Sequence, residues 1–248
     1  MSIVESSSSP AVPGSPLPDG TRVDRTNVAA LIPAYFEERH IRDVAKRVLV
    51  QLDHVLVVDD GSSDQTETEA KAAGVNVIRH AVNQGKGAAI KTGLKALSDR
   101  PGLLYILILD GDGQHLPEEI PNFLEEANRT HAPLLLGNRM SDTRKMPFVR
   151  KMTNRYMSWQ ISRVCGQRMP DTQCGFRMIS RELAPALFTE SNNYDYETEM
   201  LIIASQRGCE IGAVPVSTVY GEEVSKIHPV RDTIRFFKLL SRYKRISR

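Results

Sequence analysis

Asp110 and Asp112 stand one residue apart in the run LYILILDGDGQHLPEE, with Gly111 between them and Gly113 and Gln114 following. Two carboxylates this close repel each other unless a cation sits between them. The glycines let the backbone turn tightly enough for both side chains to face one point. Hard divalent ions such as Mg²⁺ or Mn²⁺ take oxygen ligands and leave positions for water and phosphate oxygens. Gln114 can add an amide oxygen. A cation held there would neutralise a diphosphate as it departs. Asp and Gly alone also make solvated turns. After the apolar LYILIL, the pair reads instead as a binding group delivered by a buried strand.

Two other apolar runs end in polar groups. VAALIPA leads into Tyr35-Phe36-Glu37, and HVLVV leads into Asp59-Asp60-Gly61. A lone VVDDG would also suit a receiver-type phosphoacceptor, but that leaves DGDGQ without a role. NQGKGAAIKTG lacks the GxxxxGK[ST] spacing of a phosphate-binding loop, and no GxGxxG follows the first apolar run. Lys86 in that segment reads either as a contact to a bound donor or as a solvated charge at a helix start.

The elements that position these groups alternate. Strands are predicted at 28–34, 54–61, 75–80, 103–110 and 132–139, with helices at 40–52, 62–71 and 86–97. Ser62 and Gln65 are expected to form a capping box, and Gly74 to close the same helix. Fully apolar strands alternating with helices imply an α/β fold, a mostly parallel sheet covered on both faces. Ligands of such sheets bind at the carboxyl ends of the strands, where all three polar tips fall. Beyond residue 139 the chain is basic and partly helical. MPDTQCGFRMIS then reads as a loop into a strand, YDYETEMLIIASQ as a helix, EIGAVPVSTVYG as a late strand, and the end as a basic helix.

The 248 residues are 41% hydrophobic and 25% charged with net charge +2, so no class follows from charge and no nucleic-acid partner is implied. Cys165, Cys174 and Cys209 show no metal or disulfide spacing and read as free thiols. Residues 1–26, rich in Ser and Pro, read as a disordered tail without a secretory pattern. No apolar run is long enough to span a bilayer, and a cytoplasmic location is expected.

The segments LIPAYFEE, VLVVDDGSSDQT, NQGKGAAIKTGL, LILDGDGQHLPEEI, GNR, DTQCGFR and YDYETEM occur in the order seen in inverting family 2 glycosyltransferases. The set resembles the polyprenyl-phosphate hexosyltransferase branch, to which dolichyl-phosphate mannose synthase belongs. The resemblance implies a GT-A fold, Rossmann-like, over about residues 27–225, and a Mg²⁺ or Mn²⁺ cofactor. It places Pro33, Tyr35, Glu37, Val58 and Asp60 in the pocket for the donor's nucleobase and ribose. Asp110, Gly111 and Asp112 correspond to the metal and diphosphate site, with Gln114 as a further ligand. Arg139 and Arg177 correspond to phosphate or acceptor contacts, and Glu199 to the recurrent acid of the Y-x-[FY]-x-x-E-M segment.

The acceptor decides the chemistry. A sugar hydroxyl needs a general base, whereas a lipid monophosphate, with a second pKa of about 6 by analogy with phosphorylated side chains, arrives anionic and needs cations more than a base. The QxxRW motif of processive polysaccharide synthases is absent. Cations are plentiful: Arg144, Lys145, Arg150, Lys151, Arg155 and Arg163 lie in one segment, and Ser225, Lys226 and Arg231 follow in the resembling E-x-S-K region. The expected reaction is transfer of mannose from GDP-mannose, or glucose from UDP-glucose, to a polyprenyl phosphate. Transfer to a glycan hydroxyl and a non-catalytic binding module are the alternatives. Asp112, Arg139, Arg177, Glu199 and Lys226 are the expected catalytic set. Residues 226–248 form the acceptor-side loop and a helix that either lies on lipid or packs on the domain. The chain would then work at the cytoplasmic face of a membrane, at its surface or with an integral partner. Asp171 and Asp195 are read as groups that order arginines, and Met146, Met152 and Met157 as packing.

Overall fold

The computed structural model describes residues 20–144, 146–219 and 229–246. Strands and helices alternate as β1 (Val28–Ala34), α1 (Ile41–Gln51), β2 (His54–Asp59), α2 (Thr66–Ala72), β3 (Asn76–Arg79), α3 (Lys86–Ser98) and β4 (Tyr105–Ile108). They continue as α4 (Ile120–Thr130), β5 (Leu134–Asn138), α5 (Phe148–Cys165), β6 (Arg177–Ser180), α6 (Asp195–Gln206), β7 (Ile211–Pro215) and α7 (Pro229–Ile246). The strands form one sheet in the order β3-β2-β1-β4-β6-β5-β7. Neighbours run parallel except at β6, which is antiparallel to both β4 and β5.

The apolar runs become strands because both faces of the sheet are covered. Successive residues of β1 point to opposite sides. Leu31 packs with Leu56, Val58 and Ile106 under α3 and α6, while Ala30 and Ile32 pack with Val57 and Leu107 under α1 and α4. The approach of α3 to β1 depends on Gly93, where an added Cβ would lie 2.1 Å from Leu31 Cδ1.

The chain winds outward through β1, β2 and β3, then places β4 on the other side of β1. That reversal is a topological switch point, where strand ends diverge and leave a crevice. Pro33 lies beside Val58 and Leu31 beside Ile108 in the register, so the tips of β1, β2 and β4 share one edge.

Three expectations change. Ser62 does not cap α2. Its hydroxyl accepts from the Phe36 N–H at 3.0 Å and bonds Asp59, while Asp64 Oδ1 takes the Thr66 N–H at 3.0 Å before the first turn. Gly74, at φ +86°, does stand where the helix ends. Residues 22–26 belong to the folded unit: Asn128 bonds the Val23 N–H at 2.8 Å and its carbonyl at 2.7 Å, and Val23 is buried. Residues 1–19 lie outside the described residues. The C-terminal helix packs on the domain, with Phe236, Leu239 and Leu240 buried. No helix among the described residues is long and apolar enough to cross a membrane.

Candidate active site

The strand β4 ends at Ile108, and the chain then turns through Asp110, Gly111 and Asp112. Asp112 Oδ1 accepts from the Gln114 N–H at 2.9 Å, which closes the turn on itself. Gly111 packs against the β1 tip: a Cβ there would lie 3.5 Å from Glu37 Cγ. Opposite, Lys86 opens α3 and sets its Nζ 2.7 Å from Asp110 Oδ1 and 3.2 Å from both oxygens of Glu197 on α6. The Lys86 side chain is only 16% exposed, so of the two readings left open by the sequence it is not the solvated one.

Burial works against charge on both partners, yet the pair outweighs it. The Lys86 ammonium holds Asp110 well below the usual carboxylate range, and Asp110 with Glu197 raises Lys86. His115 behind them is pushed down to about 4 by burial. The neutral ring is consistent with its contacts, since Nδ1 accepts the Asp110 N–H at 3.3 Å.

Gly175 faces this cluster. An added Cβ would lie 2.8 Å from Asp110 Oδ2, 3.2 Å from Glu197 Oε1 and 3.2 Å from Lys86 Nζ. With no side chain there, the Gly175 backbone closes directly on these charged groups. Among the described residues no three His, Cys, Asp or Glu side chains form a closed metal cage. Two carboxylates on one turn, Asp110 and Asp112, instead fit a hard divalent ion that keeps positions for phosphate and water.

Asp60 braces the loop before α3. Its carboxylate accepts from the Gln84 N–H at 2.9 Å, the Gly85 N–H at 2.7 Å and Asn83 Nδ2 at 3.0 Å, and lies 2.7 Å from His80 Nδ1. Those bonds fix the loop that delivers Lys86. Pro33 and Val58 are buried neighbours on β1 and β2, while Tyr35 and Glu37 are half-buried just beyond. Phe36 between them takes φ +54°, and its ring meets Tyr35 edge-on at 4.4 Å.

Arg139 follows β5 and is held by Asp171, with Nε 2.7 Å from Oδ2 and Nη2 3.0 Å from Oδ1. Asp171 is buried and does order an arginine, as its sequence context suggested. Two other expectations are corrected. Arg177 is 1% exposed and is no phosphate contact. Its guanidinium donates to the carbonyls of Cys174 at 2.8 Å, Thr172 at 3.0 Å and Glu197. Glu199 points away from the cluster: it bonds Arg242 and, at 2.9 Å, the Tyr243 hydroxyl on α7. Residues two apart on a helix face different sides, so Glu197 and Glu199 cannot share one site. Glu197 and Gly175 were not singled out from the sequence. The only signal for Glu197 was a second acid in YDYETEM, on the face of α6 opposite Glu199.

Ser225 and Lys226 lie outside the described residues, and Arg231 falls on the first turn of α7, where only the backbone is described. The chain leaves the described part at Val219, whose N–H donates to the Gln114 carbonyl at 3.1 Å.

The chain is similar to known proteins. The chain is 31% identical to the UDP-N-acetylglucosamine–dolichyl-phosphate N-acetylglucosaminyltransferase of Methanococcus voltae, over 77% of this chain and 85% of that one. It is 31% identical to the undecaprenyl-phosphate mannosyltransferase of Micrococcus luteus, over 79% and 84% respectively. The glucosyl-3-phosphoglycerate synthase of Mycobacterium tuberculosis, solved with Mn²⁺, uridine diphosphate and phosphoglyceric acid, superposes with a TM-score of 0.67 at 20% identity, over 88% of this chain and 78% of that one. That likeness carries the GT-A fold, including the switch-point crevice. Residues 29–188, from the start of β1 through the DGDGQ turn to the loop before α6, match the family described as glycosyl transferase family 2, and the chain belongs to that family.

Proposed function

We propose that this chain is a metal-dependent, inverting hexosyltransferase that moves mannose or glucose from a nucleotide-sugar to a polyprenyl phosphate at the cytoplasmic face of a membrane. The observation that carries the reading is the meeting of Asp110, Lys86 and Glu197 against the Gly175 backbone, one residue from Asp112, at the switch-point crevice. The two relatives' names, both polyprenyl- or dolichyl-phosphate transferases, support the acceptor class.

Asp110 and Asp112, with Gln114, would hold the Mg²⁺ or Mn²⁺ ion, which supplies positive charge where the diphosphate departs. Lys86 presents an ammonium to the same place and stays charged, because Asp110 and Glu197 raise its pKa. Tyr35 and Glu37 form the wall for the nucleoside, with Pro33 and Val58 buried behind it, and Asp60 holds the loop beside it. Asp171 fixes Arg139 in orientation, so the guanidinium need not reorganise when an anionic phosphate meets it. Ser225, Lys226 and Arg231 are assigned to the same acceptor phosphate. The acceptor oxygen is already ionised and attacks the anomeric carbon from the side opposite the diphosphate. Its bond forms as the sugar–diphosphate bond breaks, with inversion.

The test is to incubate the purified protein with labelled nucleotide-sugars and undecaprenyl phosphate, with and without EDTA. Label is expected in an organic-soluble, acid-labile product, lost with EDTA and restored by Mn²⁺. Label appearing only in water-soluble glycan, or retained nucleotide binding without turnover, would overturn the reading.

A further inference from the structure

The 18-residue helix α5 buries one side and exposes apolar residues on the other. Asn154, Ser158 and Ile161 face inward and are buried. Phe148, Met152, Tyr156 and Trp159 recur every three or four residues along the opposite face, exposed at 74%, 48%, 49% and 50%. A surface helix normally turns its polar side outward, and a continuous exposed apolar face marks an interaction site. Met152 thus departs from the packing role expected of it, whereas Met146 is buried and Met157 packs against the core.

The charge on this helix is one-sided. It carries Arg150, Lys151, Arg155 and Arg163 and no Asp or Glu. Arg163 lies 5.1 Å over the Trp159 ring, within the aromatic row itself. On the terminal helix α7, Phe236, Leu239 and Leu240 are turned into the core, and among its described side chains the exposed large apolar ones are Ile234 and Phe237, a shorter row than that of α5.

We infer that α5 is the surface by which this protein docks on an anionic lipid bilayer. Aromatic rings settle at headgroup depth, aliphatic side chains enter the acyl boundary, and arginines meet lipid phosphates. A second copy of the chain is the poorer occupant, because a two-fold interface sets the same face against itself. Arg155 and Arg163, exposed beside and within the aromatic row, would then confront their own copies. The inference shares with the proposed function the idea of a lipid acceptor, but it rests on the face of α5 rather than on the active site.

Vesicle binding tests it separately from catalysis. The full chain is sedimented with phosphatidylcholine vesicles and with mixed phosphatidylcholine–phosphatidylglycerol vesicles. Binding is expected to the mixed vesicles and to weaken with salt. Phe148→Ser and Trp159→Ser should each weaken it by about tenfold, and Arg155→Gln by about fivefold. All three residues are exposed, so circular dichroism and urea midpoints should be unchanged. With an acceptor dissolved in detergent, the Phe148 and Trp159 variants should turn over as the parent does. With acceptor in vesicles they should lag. Vesicle binding unaffected by these substitutions would overturn the inference. So would a parent that does not bind vesicles, or a dimer that Trp159→Ser converts to monomer. Loss of turnover in every format, with vesicle binding intact, would count against the proposed function and leave the docking surface standing.

Discussion

Arg177→Met separates a structural guanidinium from a phosphate contact. The Arg177 side chain holds three carbonyls, those of Thr172, Cys174 and Glu197, and so ties the loop before β6 to α6. Hydrogen bonds to a charged group are worth about 1.5–3 kcal/mol each, and an orphaned buried carbonyl costs about 1–3 kcal/mol. Three such bonds amount to several kcal/mol. Methionine removes the expense of burying a guanidinium, which offsets part of the loss. A net destabilisation of about 3 kcal/mol follows, a large share of the roughly 5–15 kcal/mol that holds a domain together. With a urea slope of about 3 kcal/mol/M, the unfolding midpoint should fall by about 1 M. Arg177→Lys should fall by a similar amount, since an ammonium cannot reach three diverging carbonyls. An unchanged midpoint, with acceptor KM raised, would refute the structural role and return Arg177 to the phosphate site.

Two further outcomes follow from the same geometry. Glu197→Gln should lower kcat by about one to two orders of magnitude, because Lys86 loses one of the two carboxylates that orient it, whereas Glu199→Gln should reduce the urea midpoint by freeing α7 and leave kcat near the parent value; steady-state rates and denaturation on both variants check this. For His115, burial depresses the folded pKa from 6.5 to about 4, so the unfolded chain binds the proton first. Stability from the neutral ring is therefore complete above pH 6.5 and is lost as pH falls toward 4, by about 3 kcal/mol in the metal-free protein. Urea midpoints measured across that window should show the decline, and His115→Asn should flatten it.

Much of the fold was legible because its determinants are local. Apolar runs such as VAALIPA and HVLVV announce strands buried on both faces, and each leads into polar residues at the same edge of the sheet. The DGDGQ turn was readable for the same reason: carboxylates at the end of an apolar strand demand a partner. Lys86 was half legible, as its position at a helix start was clear and its partners were not. The capping box at Ser62 misled because Ser62 bonds the tips of β1 and β2, a contact across 26 residues of chain.

The order of motifs by itself determined the α/β alternation, the family and the strand tip that carries the paired aspartates. Tertiary structure alone decided which acid joins them and which arginine stays at the rim. Glu197 and Glu199 are equally acidic and nearly adjacent, but α6 turns one toward Lys86 and the other toward α7. Arg177 and Arg139 follow similar glycine-containing motifs, yet one enters the core and the other meets Asp171 at the rim. Such differences arise from which face of an element packs, and packing is settled by contacts distant in sequence.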